Sequence, residues 1–214
     1  MTIQYRCAVE DDFAAVVDLF VNNMDLSVFT TVTDKHALRQ LATLFLAKDF
    51  HTANFMQVAE YDGTVCGVIL GITKNASHTA LLFDDKPVIK QAKDTLRLSE
   101  QGRQVLSDLQ VKDRQIKDTQ TKDTSETEEE KADFDSELQF FCVDHNYRRH
   151  RIGAKLIQAF EDYLIAQGAT TYALHTDTLC TYQYYDNNGY QRVAQYPNHL
   201  NAQIEHYTYI KVLS

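Results

Sequence analysis

Positive charge, paired cysteines and long apolar runs are all scarce in this 214-residue sequence. Lysine and arginine number 21 against 30 aspartates and glutamates, a formal net charge of -9. General nucleic-acid binders and membrane-surface proteins are normally basic, so neither class of partner fits. The four cysteines, Cys7, Cys66, Cys142 and Cys180, stand far apart and offer no metal-ligand spacing. Three of them lie in apolar, strand-like runs, where a thiol behaves as a small hydrophobe. That usage suits a reduced compartment, and no metal is expected. No run approaches a membrane span, and the opening MTIQYRCAVEDDF has no apolar signal core. A soluble, cytoplasmic protein is therefore expected.

Apolar material is plentiful. Hydrophobic residues make up 44% of the chain, enough for a core that needs neither disulfide nor metal. The length fits a single domain spanning residues 1–214.

The pattern mixes strands and helices. Thr2–Ala8 reads as a strand, and the acidic run Glu10, Asp11, Asp12 suits the start of a helix carrying Phe13, Val16, Val17 and Phe20 on one face. Asp34 is placed to cap a second helix with Leu38, Leu41, Leu44 and Phe45. Phe55–Tyr61 and Thr64–Thr73 read as strands joined by Asp62-Gly63, a strong hairpin signal. Gly67 and Gly71 mark a bulge or a close approach by another backbone. Later come a strand at Leu138–Val143, a helix from Ile152 to Gln167 stopped by Gly168, and a strand at Thr170–Thr176. A short helix at Leu179–Asn188 and two closing strands follow. This order predicts an α/β (α+β) fold, a mixed sheet with helices on both faces.

Residues 84–136 differ from their surroundings. With Glu137 included, the stretch holds fifteen acidic and ten basic residues. Val88, Ile89, Ala92, Leu96, Val105, Leu106 and Leu109 support one or two amphipathic helices, whereas Lys117–Asp135 lacks any apolar period and reads as a mobile acidic loop. The stretch is expected to be an insertion before the strand that resumes at Glu137.

The segment Val143–Ile157, VDHNYRRHRIGAKLI, carries the chemistry. A strand runs into a basic turn, and the turn opens a helix whose free N–H groups and dipole favour an anion. Arg148, Arg149 and Arg151 surround that start, and Gly153-Ala154 lets a ligand approach the backbone. A phosphate or pyrophosphate site fits; so does a basic helix start balanced against the acidic insertion.

This turn resembles the cofactor-binding turn of GNAT-type N-acetyltransferases, Arg/Gln-x-x-Gly-x-Gly/Ala after an apolar strand, here Arg148-Arg149-His150-Arg151-Ile152-Gly153. The family's first glycine is Arg151 in this chain. The opening Tyr5-Arg6-x-Ala8-x-x-Asp11-Asp12 resembles the family's first strand and helix. TYQYYDNNGYQRV (Thr181–Val193) resembles its late aromatic motif. The resemblance covers about residues 2–75 and 137–213 and leaves the insertion unmatched. It implies a mostly antiparallel GNAT-like sheet and direct transfer of an acetyl group from acetyl-CoA to an amine, small molecule or peptide. Cys142 and Val143 would take the pantetheine arm. Arg148, Arg149, His150, Arg151, Ile152, Gly153 and Ala154 would take the pyrophosphate.

By the same resemblance, Tyr185 stands where the family has its general acid, and Glu137 where some members place a carboxylate that accepts the amine proton. An amide near Val143 would polarise the thioester carbonyl. Tyr185 also reads as a packing tyrosine and Glu137 as a solvated strand end. His175 and Asp177 could line the acceptor pocket, although a strand histidine is more often structural. Cys180 lacks a His or Lys partner that would mark a nucleophile. A non-catalytic CoA-binding or sensor module on the same fold remains the alternative. The insertion either shapes the acceptor entrance or carries the contacts of a homodimer.

Overall fold

The structure, a computed structural model, describes residues 2–121 and 134–213. Strand β1 (Gln4–Cys7) leads to helices α1 (Phe13–Asn23) and α2 (Lys35–Thr52), then strands β2 (Phe55–Tyr61) and β3 (Thr64–Thr73). Helices α3 (Asp85–Arg97) and α4 (Glu100–Thr121) precede strand β4 (Ser136–Val143), helix α5 (Ile152–Ala166) and strand β5 (Thr171–Asp177). One short turn of helix, α6 (Gln183–Asp186), comes before strands β6 (Gln191–Pro197) and β7 (Glu205–Val212). The strands form one sheet in the order β1-β2-β3-β4-β5-β7-β6. Its neighbours run antiparallel except β4 and β5, which are parallel.

Local chemistry explains the borders. Asp62 and Gly63 both take positive φ, 50° and 75°, as a two-residue primed hairpin turn requires. The Asp34 carboxylate accepts from Ala37 N–H at 2.9 Å and caps α2. Gly168, at φ 77°, ends the chain's turn out of α5.

The sheet separates two apolar layers. On one face Val16, Val17 and Phe20 of α1 and Leu46 and Phe50 of α2 pack with Val58, Val68, Leu70 and Phe140. On the other, Ile152, Leu156, Ile157, Phe160 and Leu164 of α5 pack with Ile69, Leu138, Tyr172 and Leu174. These are the α5 positions that its helical period singles out. A third cluster joins Leu41 and Leu44 of α2 to Ala92 and Leu96 of α3 and Val105 of α4. The helices of the 84–136 stretch are therefore seated on α2. Among the described residues no helix is long and apolar enough to cross a membrane.

Some expectations shift. The loop expected from Lys117 begins later, because α4 continues to Thr121; the part of that expectation at residues 122–133 lies outside the described residues. The helix expected over Leu179–Asn188 shrinks to Gln183–Asp186. Its N-terminal part is diverted because the Asp177 carboxylate accepts from Leu179 and Cys180 N–H, fixing a turn instead. Register shifts do fall beside both Gly67 and Gly71, as a bulge requires; the groups that approach them closely are α5 side chains rather than backbone. A Cβ at Gly71 would lie 2.2 Å from the Phe160 ring, and one at Gly67 would lie 2.9 Å from Ile152. Gly71→Ala should therefore force α5 off the sheet and cost about 1–3 kcal/mol, read as a lower urea midpoint.

Candidate active site

Strand β4 is bent by a bulge. Its register against β3 steps from Leu70↔Phe140 to Gly71↔Leu138, which leaves Gln139 as the extra residue. In consequence Leu138 packs in the α5 layer while Phe140, two residues on, packs in the α1/α2 layer. Strand β4 meets β5 only at Glu137↔Ala173 and Leu138↔Leu174. Past those rungs the two strands part, and among the described residues the β5-facing backbone edge of Gln139–Val143 has no strand partner. An extended chain with amide groups could pair with that edge.

The turn after β4 leads from this edge to the start of α5. The Asp144 side chain accepts from Asn146 N–H at 2.8 Å and shapes a 3-10 turn at His145–Tyr147. Arg149 and Arg151 then adopt left-handed conformations, φ 69° and 59°. For residues with a Cβ this is uncommon and costs energy. Arg151 thus keeps the backbone conformation for which glycine is suited, and its side chain is exposed. Among the described residues no side chain caps α5; the first amide bonded within it is Lys155 N–H, to the Arg151 carbonyl at 3.1 Å. The N–H groups of Ile152, Gly153 and Ala154 precede that bond and point out of the helix start. The exposed side chains of Arg148, Arg149 and Arg151 form no ion pair among the described residues. His150 is exposed in the same turn. The Gly153 Cα is covered from beneath, since a Cβ there would meet the Phe141 ring at 3.0 Å.

Cys142 is buried, and its Sγ lies 3.8 Å from the Leu19 carbonyl of α1. Its side chain belongs to the α1/α2 layer, so only its backbone faces the open edge. Burial pushes this thiol up to about 12, with the nearby Arg148 charge working the other way. Val143 is half-buried and packs toward α5. Cys180 is pushed up to about 11, by burial first and then by Asp177, and so remains a thiol at neutral pH.

Tyr185 sits on α6 among the rings of Tyr184, Tyr190 and Tyr209, at 5.1–5.5 Å between centroids. Burial, then the neighbouring Tyr190 and Cys180, hold its phenol well above the usual value. It stays protonated throughout the neutral range and can act only as a donor. Tyr190 is committed elsewhere, its hydroxyl 2.6 Å from that of Tyr172, which donates to Glu161.

Glu137 is half-buried at the start of β4, with Asp49 of α2 close by. Burial first, and then the Glu137 charge, push the Asp49 carboxyl up to about 7. Gln139 donates to Thr52 Oγ1 of the same helix at 2.8 Å, while its buried Oε1 has no hydrogen-bond partner among the described residues. Sequence reasoning overlooked Asp49. A signal existed: an acid in the last turn of a helix opposes the dipole there and needs a reason.

His175 is exposed on β5, with Nδ1 3.1 Å from Thr208 Oγ1. Asp177 is buried, and its oxygens serve the Leu179–Cys180 turn. The structure thus gathers Cys142, Cys180 and Tyr185 at the parting of β4 and β5, sets Glu137 at its base beside Asp49, and gives Asp177 to a turn. Among the described residues no group of three or more His, Cys, Asp or Glu side chains could hold a metal.

Residues 121–189 match the acetyltransferase (GNAT) family. Over its whole length the chain shares the fold of solved acetyltransferases of this family. Solved structures with this fold include the ribosomal-protein-S18-alanine N-acetyltransferase of Escherichia coli, 10% identical, with 100% of this chain and 95% of that one aligned at a TM-score of 0.55. PaiA N-acetyltransferase of Thermoplasma acidophilum, solved with coenzyme A, is 11% identical over 99% of each chain at 0.54. Ard1 of Thermoplasma volcanium is 16% identical over 100% and 99% at 0.53. No curated protein matches the sequence.

Asp49 gives this chain a stability signature. A carboxyl whose pKa is raised on folding stabilises below its unfolded value, about 3.9, and that contribution is lost as pH rises through about 7. Asp49→Asn should therefore melt higher than the wild type at pH 8, by about 5 °C, with the gap closing toward pH 4. Thermal melts across that range check it.

Proposed function

We propose that this chain transfers an acetyl group from acetyl-CoA directly to a primary amine, on a small molecule or a peptide. The observation that carries the reading is that two runs of backbone left unpaired among the described residues meet at one end of β4. The open edge of Gln139–Val143 suits an extended pantetheine arm. The uncapped amides at Ile152–Ala154, ringed by Arg148, Arg149 and Arg151, suit the pyrophosphate. The left-handed turn at Arg149 and Arg151 aims the chain from one to the other.

Bound acetyl-CoA supplies an acyl group activated as a thioester. The acceptor nitrogen forms a bond to the acyl carbon as the carbon–sulfur bond breaks. Its surplus proton goes to the Glu137–Asp49 pair, directly or through water; Asp49, at about 7, is suited to proton exchange near neutral pH. Tyr185 supplies a proton to the departing sulfur and regains one from solvent. A β4 amide near Val143 stabilises charge on the carbonyl oxygen. His175 lines the acceptor's approach, and the two carboxylates favour a cationic amine.

Millimolar acetyl-CoA should raise the melting temperature, and thiol release should follow on addition of spermidine, glucosamine, alanine or an alanine-terminated peptide. Tyr185→Phe should lower kcat about 100-fold while keeping the thermal shift. Absence of any shift with acetyl-CoA overturns the reading. A shift with no thiol release across the amines would point instead to a CoA-binding or sensor module.

A further inference from the structure

The connection between α1 and α2, residues 24–34, is held at two neighbouring points by parts of the chain remote in sequence. The Val28 carbonyl accepts from Asn198 Nδ2 at 2.8 Å, and Asn198 belongs to the β6–β7 connection. There its Oδ1 accepts from Leu200 and Asn201 N–H, and its amide lies 2.9 Å from His206 of β7. Thr30 is the second point. Its hydroxyl donates to Asp108 Oδ2 of α4 at 2.6 Å and accepts from Val32 N–H at 3.2 Å.

The Asp108 contact is unusual in its chemistry. Thr30 is fully buried and Asp108 is 7% exposed. Among the described residues no cation pairs with the carboxylate; its other oxygen accepts from Gln104 Nε2 at 2.7 Å. A buried anion held by neutral donors is costly unless its geometry is fixed. Apolar packing fixes it here: Val32 shares a core with Ala92, Leu96 and Val105, and the Phe29 and Phe45 rings pack at a tilt, 4.7 Å between centroids. A polar anchor inside that core specifies one position for the connection rather than adding general cohesion.

We propose that α4 sets amine selectivity by pinning this connection, with Asp108 as the positioning residue. The inference rests on the acetyltransferase reading. The connection bridges α4 to the β6–β7 connection, whose Asn198 lies against His206; His206 pairs in register with Asp177, and Thr208, two residues on, contacts His175. Releasing Thr30 loosens one wall of the acceptor approach and leaves the Arg148–Ala154 turn untouched.

Two measurements on the full chain test this. Hydrogen exchange needs no acceptor: Asp108→Ala and Thr30→Val should each speed exchange at residues 26–32 about tenfold, with exchange at 150–156 unchanged. Kinetics use whichever of spermidine, glucosamine, alanine or the alanine-terminated peptide turns over best. Both variants should raise KM for that amine about five- to tenfold and leave KM for acetyl-CoA within about twofold. Asp108→Asn, which can still bond the hydroxyl, should recover most of the loss. Unchanged exchange at 26–32 overturns the pin. Faster exchange with an unchanged amine KM overturns its role in selectivity, as does an equal rise in both KM values. If the wild type acetylates none of the amines, the acetyltransferase reading has failed by its own test, while exchange still decides whether Asp108 holds the connection.

Discussion

Strands β4 and β5 share two parallel rungs and then separate, and the remaining candidate chemistry depends on that parting. A continuous ladder would bury the β5-facing groups of Gln139–Val143 in strand bonds and leave no backbone for a ligand. The bulge at Gln139 bends β4 at the point of separation. Helix α5 must then begin beside the open edge, and it does so because Phe160 and Ile152 seat closely over Gly71 and Gly67. Core packing on one face of the sheet thus fixes where the first amides of α5 point.

The turn itself runs against local preference. Two arginines hold left-handed conformations, and among the described residues no side chain caps the helix start and no carboxylate pairs with its three cations. Each of these costs stability, and such costs gather where a site demands them. Opposite, the charge reverses: Asp49 and Glu137 share the base of the opening, one of them holding its proton to about neutral pH. On the proposed function, the cationic turn would meet the polyanionic donor and the acidic recess the amine.

Most of this fold was legible in the sequence. The hairpin at Asp62-Gly63, the Asp34 cap and the α5 stripe are local signals, and tertiary packing reinforced each of them. The basic turn was legible because helix starts bind anions whatever surrounds them. What escaped was set by contacts distant in sequence. The short α6 depends on Asp177 spending its carboxylate on backbone amides, which also explains why that residue serves a turn. Asp49 matters through a partner 88 positions away, as Thr30 does through Asp108. No periodicity announces such pairs.

The central claim is that the amides opening α5 bind the diphosphate of coenzyme A. Hydrogen exchange at Ile152, Gly153 and Ala154, compared with and without saturating coenzyme A, tests it most directly. The account predicts protection of about tenfold or more at these amides and along Gln139–Val143. Coenzyme A that binds while leaving both stretches unprotected would contradict it.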